Sequence, residues 1–179
     1  MKETIRPSDI SLKSVKMYHS MSEETHCFTA TVYVKGKAFC TTSNRGHGGP
    51  NEVAPLKQFK GGYNEFMEKY HALEADLGKE KLDDYPDLDN CLEFVVGDLL
   101  DSHLLEKEAK RCLKKISFTE TVDGITKLKE FNSGFKPTKE NISEAKQWLG
   151  EENIQNCNIV ILNELPLSEV IEVLKSMNR

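Results

Sequence analysis

The chain has 179 residues, 38% of them hydrophobic and 30% charged, and a formal net charge of −5. A chain of this size buries most of its apolar surface unaided, and the hydrophobic share excludes intrinsic disorder, so one α+β domain spanning 1–179 is expected. The acidic balance argues against a protein that coats nucleic acid or an anionic membrane through its overall field, and no apolar run approaches the ~18 residues of a membrane helix.

The segment 10–19 reads as a strand. Residues 27–34 alternate, with Phe28, Ala30, Val32 and Val34 on one face and Thr29, Thr31 and Tyr33 on the other, the pattern of a half-buried strand. Lys35-Gly36 can turn the chain back into a third strand over 37–42, completing a meander. After a glycine-rich loop, Phe66, Tyr70, Leu73 and Leu77 recur at helical spacing and Gly78 stops the helix. The acidic stretch 79–89, with Pro86, reads as an exposed connection. A long helix follows over 92–115, with Leu92, Val95, Val96, Leu99 and Leu100 as its apolar half.

Asp123-Gly124 joins strands 116–121 and 125–131 into a second hairpin. Residues 132–138 form a loop, and Thr138 precedes a helical run with Ile142, Ala145, Trp148 and Leu149 that Gly150 ends. A short strand over 158–162 and a helix starting at Pro166 complete the chain. The order β-β-β-α-α-β-β-α-β-α holds two runs of hairpins instead of strict alternation. That selects an α+β fold: an antiparallel sheet drawn from both hairpin regions and the short last strand, packed with about four helices.

Five scattered cysteines, Cys27, Cys40, Cys91, Cys112 and Cys157, show no zinc or C-x-x-C spacing and are expected as free thiols. The opening MKETIRPSD has no apolar signal core and no arginine-rich transit pattern, so a cytoplasmic location is expected.

The densest chemistry lies in Asn44-Arg45-Gly46-His47-Gly48-Gly49-Pro50-Asn51. Glycine admits φ > 0 and close approach, so successive N–H groups can converge on an anion. Arg45 offers a guanidinium fork and His47 a donor or base. Neither a P-loop nor a nucleophile elbow is spelled out. The alternative is a turn that packs tightly, with Arg45 and His47 solvated. On the long helix, Lys107, Lys110, Arg111 and Lys114 share one face, which calls for a counter-charge from acidic protein surface or from a ligand phosphate; the alternative is a solvated face relieved by Glu106 and Glu108 nearby. Ser22-Glu23-Glu24-Thr25 reads as an exposed turn whose carboxylates point apart. His71 and His103 flank apolar stripes and are expected to be partly buried.

Ser22-Glu-Glu-Thr25, Phe28-Thr-Ala-Thr31, Tyr33-Val-Lys-Gly36-Lys and Asn44-Arg-Gly-His-Gly-Gly49 together resemble an uncharacterised family of phage, plasmid and bacterial proteins. That family has a SEET-x-x-F-x-A-x-x-Y-x-x-G-K pattern followed by an N-x-G-x-G-G loop. The resemblance extends to the lysine-rich helix ending at Lys115 and to Ile161-Leu-Asn163. It implies a mobile-element protein in a host cytoplasm, a setting in which small proteins counter host defences.

The residues thus point to a binding module with no cofactor and no metal site. Its expected ligand is an anionic small molecule such as a nucleotide, held by Asn44, Arg45, Gly46, His47, Gly48, Gly49 and Asn51 with help from Lys107, Lys110, Arg111 and Lys114. The rival readings are an inhibitor that contacts a host protein through acidic surface, notably 74–90, and a hydrolase using His47 as base.

Overall fold

A computed structural model describes residues 4–81, 88–131, 135–155 and 159–177. The chain is α+β and divides into two compact units, Met1–Asp101 and Ser102–Arg179. Helix α2 (Leu92–Cys112) begins in the first and ends in the second.

The first unit holds an antiparallel sheet in the order β1-β2-β3-β4, from Ile10–Met17, Phe28–Val34, Lys37–Asn44 and Glu52–Pro55. The alternation of β2 is realised, with Phe28, Ala30 and Val32 buried and Thr29 exposed. Lys35 and Gly36 both take positive φ, 47° and 75°, the type I′ turn that matches strand twist. Two bulges shape the sheet. In β1 the register slips between Lys13 and Lys16, where Ser14 has φ 54°. In β3 Phe39 is the extra residue between the pairs Val32↔Cys40 and Tyr33↔Ala38, so the ladder is interrupted there. Its ring lies 5.9 Å from Phe59 and 5.7 Å from Phe66, within aromatic contact range.

Helix α1 (Gly62–Leu77) buries Phe66, Leu73 and Leu77, and the first turns of α2 bury Leu92, Val95, Val96 and Leu100. Each such side chain contributes about 1.5–3 kcal/mol on leaving water. Strand β4 lies outside the expected meander. It pairs Ser43↔Glu52 through Cys40↔Pro55, and its proline sits at the edge of the sheet, where a missing donor costs little.

In the second unit β5 (Ser117–Val122), β6 (Ile125–Glu130) and β7 (Ile159–Ile161) form their own antiparallel sheet in the order β6-β5-β7. The hairpin regions therefore build two sheets. Asp123 and Gly124 make the turn with φ 52° and 76°, repeating the geometry of the first hairpin. Ser117, Phe118 and Thr119 are buried in succession, because both faces of β5 are covered. On one face Phe118, Ile159 and Ile161 pack with Leu149 of α3 (Lys139–Leu149), beside Phe131, Ile142 and Ile154. The second core joins Ala109 and Cys112 to Leu162 and to Val170 and Leu174 of α5 (Leu167–Met177), with Leu128 against it.

Thr138 caps α3 by accepting from Asn141 N at 3.3 Å. A fifth helix, α4 (Glu151–Gln155), follows Gly150. Trp148, grouped with the inward residues of α3 on spacing, is instead 76% exposed. The buried stripe follows Ala145 and Leu149, and Trp148 sits ~100° around the helix from Leu149. Residues 82–87, 132–134 and 156–158 of the expected connections, with Cys157, lie outside the described residues. Among the described residues no helix is long and apolar enough to cross a membrane.

Candidate functional site

The loop after β3 is organised by one buried side chain, Asn44. Its Oδ1 accepts from Gly46 N at 2.9 Å and from Thr25 Oγ1 at 2.8 Å. Its Nδ2 donates to Gly49 O and Asn51 Oδ1, both at 3.1 Å. The bond to a residue two positions on is an Asx turn; the two Nδ2 bonds draw the far end of the loop back to its start, and the bond from Thr25 ties that start to the turn at 22–25. Gly46 O completes the join by accepting from Glu23 N and Glu24 N at 2.9 Å and Thr25 N at 3.3 Å.

This close approach explains the first glycine. Gly46 has φ 87°, and a Cβ there would lie 2.1 Å from Met21 O, a backbone atom that cannot yield. At Gly48 an added Cβ would meet the Glu24 carboxylate at 2.5 Å.

An anion nest needs N–H groups that converge on unfilled space. Here Gly46 N is bound to Asn44, Gly48 N to Thr25 Oγ1 at 3.4 Å, and Asn51 N to Glu93 Oε1 at 3.0 Å. The two expected recognition side chains also have carboxylate partners. Arg45, 78% exposed, places Nη2 3.3 Å from Glu52 Oε1, and His47 Nδ1 lies 3.1 Å from Glu23 Oε2. Glu23, Glu24, Glu52 and Glu93 thus rim a loop carrying one arginine and one histidine. The first unit holds 17 Asp and Glu against 12 Lys and Arg, the second 12 against 12, so the whole net charge of −5 belongs to the unit with the loop.

The lysine stripe belongs to the second unit, and its counter-charge comes from its own neighbourhood. Lys110 pairs with Glu106. Arg111 makes a two-point contact with Glu108, at 2.9 and 2.7 Å, and reaches Glu130 Oε1 at 2.8 Å. Lys115 meets the other Glu130 oxygen at 2.7 Å. The Lys115 ammonium, with Arg111 beside it, holds the Glu130 carboxyl below its ordinary range; Arg111 does the same for Glu108 and Lys110 for Glu106. Lys107 and Lys114 are exposed.

His71 and His103, expected to be partly buried, are exposed. His26 Nε2 lies 3.9 Å from Asp101. Among the described residues no group of three or more His, Cys, Asp or Glu side chains is placed to hold a metal. Cys27, Cys40, Cys91 and Cys112 are free thiols, and burial pushes the Cys40 thiol up to about 12.

Sequence reasoning missed Thr25, Glu52, Glu93 and Glu130 as partners. The Asn44-x-Gly46 spacing of an Asx turn was legible; the contacts over longer separations had no local signal. No protein-family model, curated protein or solved structure matches the chain.

Proposed function

We propose that this chain is a binding module that engages a basic protein surface through the carboxylate-rimmed 44–51 loop. The observation that carries the reading is the pairing of both candidate recognition cations, Arg45 and His47, with Glu52 and Glu23. A small anion arriving there meets four carboxylates, and the N–H groups of Gly46, Gly48 and Asn51 are already engaged. A cationic partner faces the opposite balance. Exposed ion pairs of this kind are worth at most about 1 kcal/mol, so incoming arginines or lysines can replace them at little cost. The hydrogen bonds around Asn44 hold the loop ready, which lowers the entropy lost on docking.

Catalysis by His47 has less support. The His47–Glu23 contact resembles a base with its orienting carboxylate, yet among the described residues no Ser, Thr or Cys side chain is bonded to His47. The resemblance to phage and plasmid proteins fits an inhibitor that docks on a host protein in the cytoplasm.

The test is calorimetric titration with an oligo-arginine peptide and, separately, with a nucleotide panel. The peptide should bind with an affinity that falls as salt rises. Glu23→Gln/Glu52→Gln/Glu93→Gln should weaken it about tenfold, and Glu144→Gln/Glu152→Gln/Glu172→Gln in the second unit should not. Equal weakening by both triple variants overturns the reading. Nucleotide binding that Arg45→Ala abolishes restores the anion site instead.

A further inference from the structure

Among the described residues strand β6 is an edge: the sheet order is β6-β5-β7, and β6 pairs with β5 alone. The two-residue turn and the bond from Phe131 N to Ile116 O at 2.9 Å fix which backbone groups face which way. Ile125, Lys127, Lys129 and Phe131 direct their N–H and C=O groups to β5, so those of Thr126, Leu128 and Glu130 point outward. Among the described residues these outward groups have no backbone partner.

One side of this edge carries a distinct row of side chains. At the turn Ile125 is 62% exposed and sits opposite exposed Val122. Lys127 and Lys129 follow, both opposite or beside Glu120, with which Lys129 pairs. At the far end the Trp148 ring lies 5.6 Å from Phe131, which in turn rests 5.5 Å from Phe118 in the core. The row reads apolar, cationic, cationic, aromatic. Trp148 combines high exposure with a firmly seated neighbour, the profile of an interface anchor.

We propose that β6 and Trp148 capture an extended peptide by strand addition, and that the peptide carries two alternate acidic residues between apolar ends. The backbone of β6 supplies hydrogen bonds, and alternate side chains supply selectivity. A second copy of β6 is excluded as the occupant: every central antiparallel register that keeps the apolar side on one face sets a lysine against a lysine. Lysines on an edge normally blunt it against self-association, and the same two charges, set against the single carboxylate of Glu120, leave a cationic excess that selects an acidic strand. This surface lies in the neutral second unit and is independent of the acidic loop in the first.

Trp148 is the one tryptophan of the chain, so its fluorescence reports binding at this edge. The probe is the blocked peptide acetyl-Leu-Thr-Glu-Thr-Glu-Thr-Leu-amide, whose acidic pattern matches the row in either direction. Its addition should shift the emission saturably, and the analogue with lysine in place of both glutamates should bind at least about tenfold more weakly. Lys127→Glu/Lys129→Glu should reverse that preference. Placing N-methyl groups on the three threonines of the probe, whose N–H groups meet the edge in antiparallel pairing, should abolish binding without any change to the protein. An unchanged emission, equal binding of both charge forms, or full binding by the N-methylated probe overturns the proposal.

Discussion

The side-chain oxygen of Asn44 accepts a hydrogen bond from Thr25 Oγ1 at 2.8 Å across 19 residues of chain, and through it the glycine loop and the Glu23-Glu24 turn form one unit. Asn44 is 7% exposed, so losing its amide strands several partners at once. Asn44→Ala should cost about 2–3 kcal/mol, read as a lower denaturant midpoint at unchanged slope. Asn44→Asp keeps the two acceptor bonds but removes the donors to Gly49 O and Asn51 Oδ1, and should also destabilise the fold. If Asn44→Ala melts like the parent, the loop is held by other means.

The glycines of the loop are not equivalent. Gly46→Ala drives a Cβ against Met21 O, whereas Gly49, with φ 92°, has nothing within 4 Å of the same position. The first substitution should lower the melting temperature sharply or abolish folding. The second should cost only the ~1 kcal/mol of a left-handed alanine. Thermal melts of the two variants side by side decide it, and equal losses would contradict the geometry.

Thr42 is 1% exposed, and among the described residues its hydroxyl has no hydrogen-bond partner. Its strand neighbours in register are Ala30 and Val53. Thr42→Val keeps the shape and removes a desolvated oxygen. It should stabilise the fold by about 1 kcal/mol in urea titration.

Glu106, Glu108 and Glu130 all have carboxyl pKa values lowered by cationic partners. A carboxyl depressed in the folded state adds stability that is fully present above its unfolded value of about 4.3. That stability is lost as pH falls through the lower folded value. Stability should therefore be flat near neutrality and decline below about pH 4.3. Glu130→Gln, which uncouples Arg111 and Lys115, should lower the pH 7 melting temperature by about 2–4 °C and make the acid decline shallower. Parallel pH profiles for parent and variant would show that the Glu130 pairs contribute nothing.

Features fixed by interactions within a few residues are legible in the amino-acid order. Lys35-Gly36 and Asp123-Gly124 specify their hairpins because their φ > 0 turns are local, and the alternation of Phe28 to Val34 sets the face of β2 in the same way. The helices α1, α2 and α3 begin or end at Gly78, Leu92, Thr138 and Gly150 for local reasons of capping and periodicity. The tertiary structure alone decided the partition into two sheets, the pairing of β4 with β3, the bulge at Phe39 and the exposure of Trp148. It also decided the chemistry of the loop, because the glycines and Arg45 read alone suit an anion. Their surroundings depend on Thr25, Glu52 and Glu93, brought in by sheet register and helix packing. Electrostatic character follows from distances between side chains, and those distances exist only once the chain has folded.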